Sequence, residues 1–291
     1  LLREKSEIKK FEFIYEHRSK FRIAKMCQAL QVSRSGYYAF VKRPLSLRRR
    51  RRKELLAAVK DVFYKNHRIY GAPRVAAALP HGQKASVNTV ARIMRENGLR
   101  SKTTKKYKAT TNSKHSLPVA DNLLNRDFST IRRNEKWVSD ITYIKTDEGW
   151  LYLAALLDLY DHSIVGWSMD SRMKTQLVTS ALKHAVNRTR ASKGLLVHSD
   201  RGVQYASKRY QKLLKANGFI CSMSRKGNCY DNAPMESFWG KLKMEWLYDV
   251  RFKTRADARR AVFEYIELFY NRRRIHSKNG FVAPLKLKDA A

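Results

Sequence analysis

Three strand-like runs follow one another almost without interruption between residues 136 and 169, and no other feature restricts the fold as much. Lys136–Lys145 (KWVSDITYIK), Trp150–Leu159 and Ser163–Met169 read as strands, and Tyr160-Asp161-His162 leaves room only for a hairpin turn. A meander is therefore expected. Beyond it the periodicity changes: Lys174–Arg190 is helical, Gly194–Asp200 (GLLVHSD) is a short apolar strand, and Ser207–Gly218 is a helix ended by Gly218. Phe219–Ser224 supplies a fifth strand, and Met235–Leu247 (MESFWGKLKMEWL) a helix after a Gly/Asn/Pro loop. The fold class is α/β, a mixed five-stranded sheet with helices over residues 131–250.

The chain before this sheet has the period of helices. Phe21–Phe40 has Ile23, Met26, Cys27 and Leu30 on one helical face, then a turn, then a helix begun by Ser33 or Ser35: a helix-turn-helix outline within residues 1–47, with Arg34 offered to phosphates or base edges. A basic run, Arg48, Arg49, Arg50, Arg51, Arg52 and Lys53, flows into an amphipathic helix carrying Leu55, Leu56, Val59, Val62 and Phe63. Tyr70–Gly98 forms a second helix pair within residues 48–100. Pro73 suits a first turn, Ser86 an N-cap and Gly98 a helix end; Arg92 and Arg95 are its candidate DNA contacts. Residues 101–130 read as a basic linker with Lys105 and Lys106, and residues 251–291 as a helical C-terminal segment with a core stripe.

The formal charge of +36 exceeds what solubility needs and calls for a polyanionic partner, with nucleic acid foremost. It is concentrated in residues 1–120, which carry a net +23. With no run of about 18 apolar residues, no signal peptide and no lipidation motif, the expectation is a cytoplasmic protein without a membrane partner. Cys27, Cys221 and Cys229 have no CxxC spacing and read as reduced thiols.

Three acids stand where an acid needs a reason. Asp140 interrupts an apolar, β-branched strand, where it is destabilising unless something pairs with it. Asp200 ends a short strand, the place where open α/β sheets put their sites. Glu236 opens a helix after SRKGNCYDNAP, with 35 residues between it and Asp200. Breaking and joining phosphodiesters requires a neutralised phosphate, an activated oxygen and a stabilised leaving oxygen. Two Mg²⁺ (or Mn²⁺) ions about 4 Å apart, held by carboxylates, supply all three. Read singly, Asp140 is equally a buried acid satisfied by hydrogen bonds, and Glu236 a helix-start acid favoured by the macrodipole. Asp158, Asp161, Asp231 and Glu245 receive structural readings. His198 and Arg201 form an HxxR that would suit a tyrosine recombinase, but the strand-rich pattern around it does not.

The words WVSDITYI, HSDRGVQY and RKGNCYDNAPMESFWGKLK around these acids, with RSGYYAF, YGAPRVAAAL, VNTVARIMRENGL and YNRRRIHSKNGFVAP elsewhere, resemble the DDE transposases of the bacterial insertion sequence 3 family, OrfB type. The resemblance covers nearly the whole chain. It implies a ribonuclease H-like, retroviral-integrase-like core preceded by small helix-turn-helix domains, with Asp140, Asp200 and Glu236 as catalytic and metal-binding triad. It implies that Lys243, seven residues after Glu236, contacts the transposon end, and that Arg272, Arg274 and His276 belong to a terminal DNA-binding motif, although Asn279 stands where a leucine is common. It also implies 3′-end cleavage and strand transfer by a copy-out, paste-in route through a circle. The partners implied are double-stranded DNA (terminal inverted repeats and target), a homodimer or higher multimer bridging two ends, and an upstream-frame protein or fusion segment. A DNA-binding regulator with an idle catalytic fold and a plain nuclease are the competing readings.

Overall fold

In the computed structural model, residues 7–42, 47–102, 119–226 and 228–287 are described. They fall into two units, Leu1–Ala58 and Val59–Ala291.

The first unit holds α1 (Glu7–His17), α2 (Ile23–Ala29), α3 (Arg34–Lys42) and the start of α4 (Leu47–Lys65). Phe11, Ile14, Met26, Cys27, Leu30 and Tyr37 form its core. The turn between α2 and α3 is made by Gln31 at φ 54°, and Ser33 caps α3 by accepting from the Gly36 amide at 2.9 Å. Arg34 is exposed at the start of α3. The basic run is helical rather than a segment ahead of the helix: Arg48 to Arg52 are exposed in the first turns of α4, and Arg49 reaches Glu12 at 3.2 Å.

The division between units falls inside α4, not at the boundary expected after residue 47. The second unit continues with α5 (Ala72–Ala78) and α6 (Val87–Glu96). Ser86 caps α6 by accepting from Thr89, and Val90, Ile93 and Met94 turn inward while Arg92 and Arg95 stay exposed. The Tyr70 hydroxyl accepts from the Ile275 amide at 2.8 Å and donates to the Arg273 carbonyl, so the helical block is tied to the C-terminal segment.

The sheet contains β1 (Lys136–Thr146), β2 (Gly149–Asp158), β3 (Ile164–Asp170), β4 (Leu196–Ser199) and β5 (Ile220–Met223) in the order β3-β2-β1-β4-β5. The meander is antiparallel, whereas β4 and β5 add to β1 in parallel. Their parallel sense follows from the intervening helices α7 (Thr175–Thr189), α8 (Val203–Ala206) and α9 (Lys208–Ala216). Trp137 and Leu156 face α7, whose Leu177, Ala181 and Leu182 complete that core. Gly166 on β3 permits the close approach, since a Cβ there would stand 2.5 Å from the Ala181 carbonyl and the Ala185 amide. The single-turn α8 is absent from the sequence expectation; one turn is too short to show a helical period.

Side chains alternate along β1, so Val138 and Asp140 point away from the face that holds Trp137 and Ser139. The Asp140 face is covered by α10 (Ala233–Leu242), which continues as a wider π-type turn over Lys243–Leu247, and by α11 (Arg255–Phe263), extended in the same way over Glu264–Tyr270.

Candidate active site

Register brings the first two acids together. In the parallel β1/β4 pair, Trp137 lies beside Val197 and Val138 beside His198. Continued two residues further, this register brings Asp140 of β1 level with Asp200, which follows the end of β4, and the two carboxylates are close enough for the charge of Asp200 to act on Asp140. On its other side Asp140 faces Ala155 of β2, whose methyl group leaves space above it.

Each carboxylate is held by its own support. The Trp239 indole donates to Asp140 Oδ2 at 3.0 Å. The Gly202 amide donates to Asp200 Oδ1 at 2.9 Å, and glycine suits that position because a Cβ would crowd the same oxygen at 3.0 Å. Asn232, just before α10, donates to the Ser139 carbonyl at 3.0 Å, fixing the start of the helix against β1. Behind them, the Tyr205 and Ser139 hydroxyls are 3.0 Å apart. Trp239, Asn232, Tyr205 and Gly202 are all absent from the site expected on sequence. Trp239 is detectable in principle, three residues after Glu236 and so on a neighbouring part of the same face.

The electrostatics are those of crowded negative charge. Burial, and next the charge of Asp200, pushes the Asp140 carboxyl up to about 7, with Glu236 adding to the effect. Glu236 is exposed, and partial desolvation raises its carboxyl. Among the described residues no three His, Cys, Asp or Glu side chains are gathered tightly enough to hold one metal ion. The pair Asp140 and Asp200 suits a hard cation, since both are oxygen donors and their mutual repulsion is relieved by positive charge. Glu236 has to turn inward to join them.

The remaining sequence candidates divide. Lys243 is buried; its ammonium lies 5.1 Å from the centre of the Tyr143 ring, and burial lowers its pKa against the opposing pull of Asp140. It thus stands within reach of the Asp140 charge rather than out on the helix surface. The helix is regular between Glu236 and Lys243, and the π-type turn that begins at Lys243 shifts the phase only of the residues after it. Arg272 is exposed. Arg274 is not a surface contact: only 1% exposed, it grips Glu245 with Nε at 2.7 Å and a second nitrogen at 2.5 Å, while the Tyr265 hydroxyl donates to the same carboxylate. His276 is likewise buried, stacked on His162. Lys105 and Lys106 lie outside the described residues. His198 is a core residue, its ring nitrogens against Ser222 and Ser224 and its pKa driven down to about 4 by burial.

Comparison with known proteins decides the family. Residues 131–229 and 236–288 match two integrase core domain families, and residues 50–107 an HTH-like domain. The chain is 43% identical to the transposase InsF for insertion sequence IS3A of Escherichia coli, over 94% of this chain and 96% of that one. It belongs to the IS3-family transposases. It is also 45% identical to a 31 kDa protein of insertion element IS600 of Shigella sonnei, over 91% of this chain and 97% of that one. Among solved structures, the simian T-cell lymphotropic virus intasome aligns with 80% of this chain and 75% of its own at 16% identity and a TM-score of 0.48. By its family matches and its 43% identity to the IS3A transposase, the chain has an integrase core and helix-turn-helix-like helices, and its business is DNA transposition. No helix among the described residues is long and apolar enough to cross a membrane.

Proposed function

We propose that the chain cuts the 3′ ends of its element and joins them to DNA, with Asp140, Asp200 and Glu236 as the DDE triad holding two Mg²⁺ or Mn²⁺ ions. The observation that carries this reading is the register of β1 against β4, which sets Asp140 beside Asp200 and leaves the Asp140 carboxyl poised near 7. When bound, the ions activate water, neutralise the scissile phosphate and stabilise the leaving oxygen. The protein's part is to position. Trp239 and Gly202 orient the two aspartates, Asn232 locks the root of α10, and Glu236 closes on them from that helix.

In the first step water attacks phosphorus at the element's end. The P–O3′ bond breaks, the 3′ oxygen gains a proton, and the flank keeps a 5′-phosphate. In the second, the freed 3′-OH attacks a phosphodiester of another strand, forming one P–O bond and releasing a new 3′-OH. No covalent protein intermediate is involved; Tyr205, behind the aspartates, is buried with its hydroxyl engaged by Ser139. The exposed cations Arg34, Arg48 to Arg52, Arg92, Arg95 and Arg272 are the proposed DNA contacts, with Lys105, Lys106 and, within reach of the Asp140 charge, Lys243. The family's copy-out, paste-in route through a circle, a multimer bridging two ends, an upstream-frame partner and a place at the bacterial nucleoid in the cytoplasm complete the reading.

Cleavage and joining of a labelled duplex bearing the element's own end, in Mg²⁺ or Mn²⁺, tests it. Joined products that vanish in Asp200→Asn and Glu236→Gln are expected. Cleavage without joining would make the chain a nuclease, and metal-dependent activity untouched by either substitution would remove the triad.

A further inference from the structure

The strongest concentration of unmatched polarity lies away from the carboxylates, on the other side of α10. Its residues Ala233, Pro234, Ser237 and Lys241 recur at helical spacing and line a cavity of about 260 Å³, closed by His162 from the β2–β3 turn and by Tyr270, His276 and Lys278 from the C-terminal segment. Among the described residues no acidic side chain lines it. The Lys241 ammonium stands 3.4 Å from His276 Nε2, and the His162 and His276 rings stack with centroids 4.6 Å apart.

Buried donors without partners gather here. Among the described residues, the Tyr270 hydroxyl and His276 Nδ1, both in residues lining the cavity, have no hydrogen-bond partner, and neither have Arg74 Nε and Arg274 Nη1 close behind it. Buried polar groups are ordinarily satisfied, so two such atoms in residues of one cavity wall mark a place shaped for something else. The charges agree. Burial lowers His276, and Lys241, His162, Arg274 and Arg74 all push it further; Lys241 is itself brought down to about 8, chiefly by burial and then by Arg274. The two nearby acids are committed elsewhere, Glu245 to Arg274 and Asp161 to Arg133 at 2.8 Å. The ten-residue α10 also begins at the cavity, adding the positive end of its dipole.

We infer that this cavity is a binding site for a phosphate group, held by Lys241 and Lys278 with the Ser237 and Tyr270 hydroxyls and His276, and that its natural occupant is a backbone phosphate of DNA. A bound phosphate supplies acceptors for the Tyr270 and His276 donors in the cavity wall and offsets the cationic excess. It would also anchor nucleic acid to the same helix that presents Glu236. The site does not require the triad assignment to be right, and it is tested without divalent metal so that the two stand or fall separately.

Inorganic phosphate is titrated into the full chain against chloride at matched ionic strength, with thermal stability as readout, and a short duplex is titrated in parallel. Saturable stabilisation by phosphate is expected, weakened about tenfold in Lys241→Gln, where a charge-assisted bond is lost. The exposed Lys278→Gln, which does not threaten folding, should weaken it about threefold. If DNA is the occupant, both variants also bind the duplex more weakly, with a salt slope reduced by about one unit. Phosphate binding lost with duplex affinity unchanged would keep the phosphate site and make a free phosphate its ligand. Phosphate no better than chloride in the unsubstituted chain, or equal binding in all three proteins, would overturn the proposal.

Discussion

Asp140 at the centre of the sheet and Asp231 in the loop before α10 are both carboxylates withdrawn from water, and their surroundings drive them in opposite directions. Asp231 accepts from Arg225 through both a backbone amide at 2.9 Å and the guanidinium at 2.7 Å, from Arg126 at 2.9 Å and from Asn122 at 3.0 Å. These bonds, led by Arg225, hold its carboxyl far below the usual range. Asp140 is buried, hydrogen-bonded by a neutral indole and set near a second carboxylate, and although the Lys243 ammonium is within electrostatic reach it rises to about 7. A carboxylate kept for architecture is given its cations by the fold. On the proposed metal-binding role, Asp140 lacks such a clamp of arginines and keeps its raised value until a bound cation favours the ionised form.

The widest separation between the two should appear on substitution. Asp140→Asn is expected to lower strand joining by about a thousandfold or more while raising the melting temperature of the metal-free protein, because it removes a repulsion along with a ligand. Asp231→Asn should do the reverse, lowering stability by about 2–3 kcal/mol through stranded arginines and a loosened loop, with joining retained in the folded fraction. Calorimetry beside the joining assay checks both. A destabilised Asp140→Asn would mean that Asp140 is a structural acid after all.

Next in size is Trp239→Phe, which keeps an aromatic ring and deletes the indole donor to Asp140 while leaving the Ile141 backbone donor in place. The carboxyl should then rise further, so joining at neutral pH falls about tenfold and recovers as pH increases. A loss that stays constant with pH would point to packing alone.

Much of this arrangement is legible in the chain. The meander is readable because alternating side chains have a period that the eye can follow, and Asp140 is readable because a charge in an apolar strand contradicts its neighbours. The character of Arg274 is not. In the run Arg272-Arg273-Arg274 all three look like solvated cations, and only the fold brings Glu245 to the third. Glu245 itself reads as an ordinary helix residue. The seven-residue count from Glu236 to Lys243 runs along regular helix, but it cannot show that β1 covers Lys243 and brings Tyr143 against it. The phosphate cavity draws its residues from α10, a hairpin turn and the C-terminal segment, which no local pattern connects. Asn279, at odds with the family wording, proves to be a joint: its amide donates to the Asp161 carbonyl at 2.6 Å, and its oxygen meets His162 Nδ1 at 3.1 Å.

The finest test of the contrast is the pH dependence of stability without metal, taken as the difference between the unsubstituted chain and each asparagine variant. Taking differences cancels the buried neutral His162 in both curves and His198 in the Asp140 curve; their lowered values, each about 4, make their own contribution fade as pH falls below the ordinary histidine range, and because Asp231 raises His198 the Asp231 difference also carries the response of that histidine. Asp140 is raised in the folded state, so the folded protein binds its proton more tightly than the unfolded chain does. Its contribution therefore declines as pH climbs from about 4 to about 7 and is level above that. The slope is at most about 1.4 kcal/mol per pH unit. Asp231 is depressed, so its contribution is full above about pH 4 and lost on acidification below it. Millimolar Mg²⁺ should flatten the first curve, because a cation that favours the ionised carboxylate cancels the penalty of ionising it, and should leave the second unmoved. If Mg²⁺ leaves the Asp140 difference curve unchanged, the raised carboxyl of that aspartate is not being kept for a metal.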